Sequence, residues 1–144
     1  MTRNEAEGDY KGCPLISFAA LIKDSTTRKI IVESEWTFYY PEISFQEVRK
    51  YSGTILQKSG MNEEDYGRVL TFLLKHIILV PEEQFKVHIQ EANKLLGKID
   101  VNDVVFLALG LGIENSKIWS NDPHLHAQKK VKALKTEDVV KLFE

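Results

Sequence analysis

The sequence contains very little cysteine, and the single thiol, Cys13, excludes an internal disulfide and a cysteine-rich zinc site. It also lacks any apolar run near the roughly 20 residues that a membrane-spanning helix requires. The first twelve residues, MTRNEAEGDYKG, are polar and mixed in charge, which is not typical of a signal peptide. We therefore expect a cytoplasmic protein with no membrane segment, and one free thiol fits a reducing compartment.

Several nucleotide and metal motifs are missing as well. The chain has no G-x-G-x-x-G, no G-x-x-x-x-G-K-[ST] and no H-E-x-x-H, so dinucleotide-binding, P-loop and zinc-protease functions have no support. It has no serine-nucleophile elbow either. His124 and His126 are two residues apart and would not share one face of a helix.

The composition is that of a single globular domain. The 144 residues are 43% hydrophobic and 28% charged, with a formal net charge of -2. This charge argues against a uniformly basic nucleic-acid-binding protein but leaves room for a local basic face. We predict a polar N-terminal tail over residues 1–12 and one domain over residues 13–144.

Predicted strands alternate with predicted helices along the chain. Apolar or aromatic runs predict strands at 35–41, 77–81, 116–120 and 131–134. Helical spacing predicts helices at 44–60, 62–77, 82–97, 100–113 and 136–144. This order predicts an α/β fold of three layers, in which a central, mostly parallel sheet is covered by helices on both faces. Ligands of such folds bind beyond the C-terminal ends of the strands.

Acidic residues stand at the boundaries of these elements. Glu47 follows the first strand, Asp100 and Asp103 open an apolar helix, and Asp122 follows the strand KIWS. Each also fits a structural role, because Asp and Glu are common in helix caps and first turns, and Ser-Asn-Asp-Pro is a usual turn. The ends of parallel strands nevertheless meet at one edge of a sheet. Oxygen ligands gathered there would attract Mg²⁺ or Mn²⁺.

The segment DVNDVVFLALGLGIENSKIWSNDPHLHAQ resembles the C-terminal half of the PIN-domain family. In that family an Asp opens an apolar helix and the next strand ends in Ser/Thr-x-Asp, which correspond here to Asp103 and to Ser120-Asn121-Asp122. The segment YYPEISFQEVRKY is similar to a second family segment whose Glu falls on Glu47. The resemblance extends from Leu15 to the C-terminus.

The resemblance implies a metal-dependent ribonuclease. Many members of the family are toxins of prokaryotic toxin–antitoxin pairs. It implies Mg²⁺ or Mn²⁺ as cofactor, with Glu47, Asp103 and Asp122 as ligands and catalytic residues. It implies RNA as substrate, and an antitoxin protein and a second copy of the chain as candidate partners. The residues expected to support the site are Ser120, Asn121 and Asp100.

A basic stretch follows the last of these acids. It could contact an RNA backbone or be an ordinary solvated face, and the sequence does not decide between the two. Its lysines are Lys129, Lys130, Lys132 and Lys135.

The chain departs from the family pattern at its first acid, because Cys13 stands where the family places an Asp at the end of its central strand. We expect either that the first strand and first ligand are lost, which we favour, or that Pro14–Phe18 serves as the strand and the first acid is replaced from elsewhere in the chain. Fewer carboxylates lower the affinity for a cation. The sequence therefore predicts a ribonuclease weakened by this loss or, as the alternative, a degenerate, non-catalytic domain that binds RNA or a protein partner.

Overall fold

The computed structural model describes residues 25–50, 57, 60–97 and 101–144. The predictions for Cys13, for Pro14–Phe18 and for Asp100 lie outside these residues. In the first half of the described chain the elements are helix α1 (Ser25–Glu33), strand β1 (Phe38–Pro41), helix α2 (Glu42–Lys50), helix α3 (Glu63–Leu74) and strand β2 (Ile77–Val80).

The second half begins with two short 3-10 helices, Glu82–Gln84 and Lys86–His88. The elements that follow are helix α4 (Ile89–Leu96), helix α5 (Val101–Gly112), strand β3 (Ile118–Trp119), helix α6 (Pro123–Ala127), strand β4 (Ala133–Leu134) and helix α7 (Thr136–Phe143).

The described strands pair in parallel, which confirms an α/β fold. β1 pairs with β2 in a register that sets Phe38 opposite Ile77, and β3 pairs with β4 in a register that sets Trp119 opposite Leu134. Parallel pairing requires a crossover between the strands, and helices supply it between β1 and β2 and between β3 and β4. The C-terminal ends of each pair therefore lie on the same side of that pair.

Several predicted helix ends are confirmed by their hydrogen bonds. The Asn62 side chain accepts from the Asp65 amide at 2.8 Å and caps α3. Gly97 ends α4 with a φ of 69°, a left-handed conformation that glycine adopts without strain. Helix α7 begins at Thr136, as predicted, and its N-cap is Lys135, whose amide donates to the Asp138 carboxylate at 3.1 Å.

The single helix predicted over 82–97 is wrong in its first half. The chain there makes the two 3-10 helices, separated by Phe85, whose φ of -131° interrupts the helical path. Phe85 is fully buried. The interruption turns this large side chain into the core, so burial overrides the helical propensity of the segment.

The buried residues form two hydrophobic cores. The first, which we call the aromatic core, is built from α1, α2, α3 and α7 and from the strands: Ile30, Ile31, Phe38, Tyr40, Phe45, Tyr66, Leu73, Ile77, Trp119, Leu134 and Val139. The second, which we call the aliphatic core, is built chiefly from α4, α5 and α6: Val80, Phe85, Ala92, Leu96, Val104, Val105, Leu107, Ala108, Leu109, Ile118, Leu125 and Val131.

The strands divide their side chains between these cores. Ile118 enters the aliphatic core, whereas its neighbour Trp119 enters the aromatic core and packs 6.3 Å from Phe38, measured between ring centroids. This follows from the alternation of side chains along a strand. Tyr40 and Phe106 join β1 to α5 with ring centroids 5.3 Å apart in an edge-to-face arrangement.

Helix α5 packs closely against β3 and against Val131, which precedes β4. A Cβ atom at Gly110 would lie 3.1 Å from Val131 Cγ1, which is tighter than ordinary contact, and 3.5 Å from Ile118 Cδ1, which is an ordinary van der Waals distance. The absence of a side chain at Gly110 therefore allows this close packing. Among the described helices, none is long and apolar enough to cross a membrane.

Candidate metal centre

Asp103 lies in the first turn of α5 and is buried, with 8% of its surface exposed. From Val104 onward the helix is apolar and packs largely into the aliphatic core, so the carboxylate is held where the helix enters the interior. The partial positive charge of a helix N-terminus favours an anion at this position. The predicted place of Asp103 at the start of an apolar helix is confirmed.

Asp122 lies just beyond the C-terminal end of β3 and is the N-cap of α6. Its Oδ1 accepts a hydrogen bond from the His124 amide at 2.9 Å, and Pro123 occupies the first helical position. The turn expected from Ser-Asn-Asp-Pro is therefore present. Asp122 can cap α6 and still bind a cation, because a carboxylate has lone pairs for more than one partner.

His124 joins these two carboxylates, which the sequence did not predict. Its Nδ1 lies 3.3 Å from Asp122 Oδ1 and 3.6 Å from Asp103 Oδ2. The feature of the sequence that could have predicted this contact is the spacing Asp122-Pro123-His124. An Asp that bonds the amide two residues ahead folds the chain back and brings that residue's side chain near its own carboxylate.

The donor set fits a divalent cation. Asp103, Asp122 and His124 each offer one ligand atom, and these atoms all lie within 4.8 Å of one another. Bonds from protein ligands to divalent ions are about 2.0–2.6 Å long, so ligands of one ion lie at most about 5 Å apart. Two carboxylate oxygens and an imidazole nitrogen are all usual ligands of divalent metals.

The structure thus brings together two of the three predicted ligands. The third, Glu47, lies in α2, which follows β1 directly, as the sequence predicts. Its side chain lies outside the described part of the chain, as does Asp100. Whether Glu47 joins the cluster stays a prediction.

The predicted supporting residues hold the loop that carries Asp122. The Asp122 amide donates to Ser120 Oγ at 3.0 Å, and His126 Nε2 donates to the Ser120 carbonyl at 2.6 Å. Asn121 binds Thr136 twice: its Oδ1 accepts from the Thr136 amide at 2.9 Å, and its Nδ2 donates to the Thr136 hydroxyl at 3.2 Å. These bonds connect the end of β3 to the start of α7 and so position Asp122.

Gln128 fixes the other end of this loop and was also not predicted. It is buried, and its Oε1 accepts from the amides of Lys130 and Val131 at 2.9 and 3.0 Å. Its Nε2 donates to the carbonyls of Leu125 and Val131 at 2.8 and 2.5 Å. Four hydrogen bonds satisfy a buried amide completely, as burial of a polar group requires.

The lysines of the predicted basic stretch are all exposed. They flank β4: Lys129, Lys130, Lys132 and Lys135. Their exposure fits both contact with an RNA backbone and an ordinary solvated face.

In an α/β fold, a cluster of ligand atoms beyond a strand end is a usual place for a ligand, and this cluster can hold a divalent cation. A family model described as PIN domain matches residues 15–141, which is most of the chain. The protein therefore belongs to the PIN-domain family, whose members are generally nucleases and typically depend on divalent metals. Comparison with curated proteins and with solved structures yields no match.

Proposed function

We propose that this protein is a ribonuclease of PIN type, which hydrolyses RNA phosphodiester bonds with Mg²⁺ or Mn²⁺. The observation that carries the proposal is the convergence of Asp103 and Asp122 with His124 in a chain of the PIN family. The proposal includes the three-layer arrangement of the family, in which a single sheet separates the two cores. That arrangement agrees with the alternation of Ile118 and Trp119 between them.

Asp103 and Asp122 would hold the cation, with Glu47 as a further ligand. When bound, a divalent cation lowers the pKa of a coordinated water and offsets charge on the phosphate. Asp103 is well suited to fix a cation because its burial limits competition from solvent. Asp122 is half-exposed, at the side from which an RNA backbone could approach. The lysines around β4 would add attraction for phosphate that weakens as salt is raised.

The test is RNA cleavage by purified protein with Mg²⁺, with Mn²⁺ and with EDTA. We expect cleavage only with added metal. Asp122→Asn should lower the rate by at least about a hundredfold, because even loss of a residue behind a ligand costs about 10- to 100-fold. The matched control is Asp65→Asn, which changes an exposed acid in the first turn of α3 and should keep full activity. Cleavage that persists in EDTA would contradict the proposal.

The second candidate function is a non-catalytic domain that binds RNA or a protein partner. It rests on the expectation that Cys13 stands at the place of the family's first Asp, and the family match begins after this residue, at position 15. Calorimetry with Mn²⁺ separates the two functions, since a non-catalytic domain without a working site would not bind the ion at millimolar concentration. Recovery of binding in a Cys13→Asp variant would locate the defect at that residue.

A further inference from the structure

We propose that His124 is a direct nitrogen ligand of the cation, and that it shifts the preference of the site from Mg²⁺ towards Mn²⁺. The inference rests on the proposed function, because it takes Asp103 and Asp122 as the oxygen ligands of the same ion. It adds a residue type that is not among the predicted ligands, which are all acids.

The first support is the spacing of the three side chains. The distances from His124 Nδ1 to the two carboxylates, 3.3 and 3.6 Å, exceed the 2.7–3.2 Å of a good N–H···O hydrogen bond. Two ligands on one ion, with bonds of about 2.1 Å, lie about 3.0 to 4.2 Å apart. Both distances fall within that range, so the imidazole stands where a shared ion would hold it.

The second support is that the backbone presents this ring to the carboxylates. The bond from the His124 amide to Asp122 Oδ1 folds residues 122–124 into a turn. This turn holds the His124 ring beside the carboxylate of the capping residue. His126, two residues later, is directed elsewhere, because its Nε2 donates to the Ser120 carbonyl. The two histidines therefore differ in role: His126 supports the loop, and His124 faces the acids.

The third support is that exposure to solvent rises across the three side chains, from Asp103 through Asp122 to His124. The Asp103 side chain is 11% exposed, Asp122 37% and His124 47%. The ring is therefore open enough to adjust to an ion at the two carboxylates. As a ligand, an imidazole adds a donor atom without adding a negative charge beside the two carboxylates.

The preference for Mn²⁺ over Mg²⁺ is expected to depend on whether the ligand atom is nitrogen or oxygen. Mg²⁺ and Mn²⁺ both favour oxygen ligands, and Mg²⁺ in addition loses its water reluctantly. Mn²⁺ is a first-row transition ion and accepts an imidazole nitrogen more readily than Mg²⁺ does. A set of two oxygens and one nitrogen should therefore bind Mn²⁺ more tightly than an all-oxygen set of the same charge. Removal of the nitrogen should reduce Mn²⁺ affinity much more than Mg²⁺ affinity.

The experiment measures binding of Mn²⁺ and Mg²⁺ to the full chain by calorimetry, and pulsed electron paramagnetic resonance of the bound Mn²⁺. The wild type should show magnetic coupling between Mn²⁺ and a directly bound imidazole nitrogen. In His124→Ala that coupling should vanish and the Kd for Mn²⁺ should rise by about tenfold or more. The Kd for Mg²⁺ should change by less than threefold. His76→Ala is the matched control, since His76 packs on Phe72 away from the cluster, and it should keep both the coupling and the affinity.

The outcomes separate this inference from the proposed function. If the wild type binds Mn²⁺ without nitrogen coupling, and His124→Ala binds it equally well, the inference is wrong and the carboxylate site stands. If His124→Ala weakens Mg²⁺ and Mn²⁺ alike, the predicted selectivity is wrong. If the wild type binds neither ion, both this inference and the proposed function are overturned.

Discussion

The two hydrophobic cores differ in the shape of their side chains. Five of the eleven residues of the aromatic core are aromatic, whereas Phe85 alone is aromatic among the twelve residues of the aliphatic core. Small and branched side chains let the C-terminal half of α5 pack closely on β3 and on the segment before β4, with Gly110 against Val131. The same helix carries Asp103 in its first turn. The aliphatic core therefore holds the helix that carries Asp103, whereas the aromatic core reaches the Asp122 loop through Trp119 and Thr136.

Leu107→Ala should have the largest effect on stability, and it tests whether the two cores differ in their influence on the metal centre. Leu107 and Leu73 are both fully buried leucines in helices, the first in the aliphatic core and the second in the aromatic core. Each substitution to Ala should lower the free energy of unfolding by about 2–5 kcal/mol, as lost contacts and a cavity require. Only Leu107→Ala should also weaken Mn²⁺ binding, because only its helix carries Asp103.

Denaturant unfolding measures the first effect, and calorimetry below the unfolding transition measures the second. Leu73→Ala is thus the matched control for Leu107→Ala. Equal weakening of Mn²⁺ binding in both variants would refute a special role for the aliphatic core.

A smaller effect is expected from Gln128→Ala, which removes hydrogen bonds to Leu125 and Val131 at the edge of the aliphatic core. The substitution leaves the Val131 amide and the Leu125 carbonyl without their partner in a buried environment. We expect a loss of about 1–3 kcal/mol in the free energy of unfolding. Thermal or denaturant unfolding would show it. Gln90→Ala, at an exposed position of α4, is the control and should change stability by less than about 0.5 kcal/mol.

The smallest effect belongs to Tyr66→Phe in the aromatic core. Within the described residues the Tyr66 hydroxyl is buried with no hydrogen-bond partner, and burial raises the pKa of this phenol above its ordinary value of 10.0. At pH 7 the variant should be equally stable or more stable, by up to about 1 kcal/mol, since it buries no unpaired hydroxyl.

The raised pKa adds a dependence on pH. Above pH 10 the phenol ionises in the unfolded chain before it does so in the folded protein. Wild-type stability therefore falls as the pH rises through the folded-state pKa, and Tyr66→Phe lacks this loss. Unfolding curves at pH 7 and at about pH 10.5 measure the difference. A variant less stable than the wild type at both values would show that the hydroxyl has a favourable partner.

The sequence allowed the elements around the site to be predicted because their signals are local. Apolar spacing marked α5, the aromatic run marked β1, and Asp103 and Asp122 stand at the ends of elements that the sequence itself delimits. His124 and Gln128 were missed for a physical reason. Each acts through contacts set by a turn, and the pattern of apolar residues carries no information about where a turn directs a side chain. Phe85 was misjudged because burial decided its conformation against helical propensity.

The paired bonds between Asn121 and Thr136 have a further consequence. The Thr136 hydroxyl accepts from Asn121 and also from Trp119 Nε1, at 3.0 Å. The indole is thereby linked, through one hydroxyl group, to the loop that presents Asp122. Emission from an indole depends on its hydrogen bonding and its surroundings. Once the other tryptophan of the chain, Trp36, is replaced by Phe, Trp119 is a built-in optical reporter of this loop, and its fluorescence can follow the loop without a label.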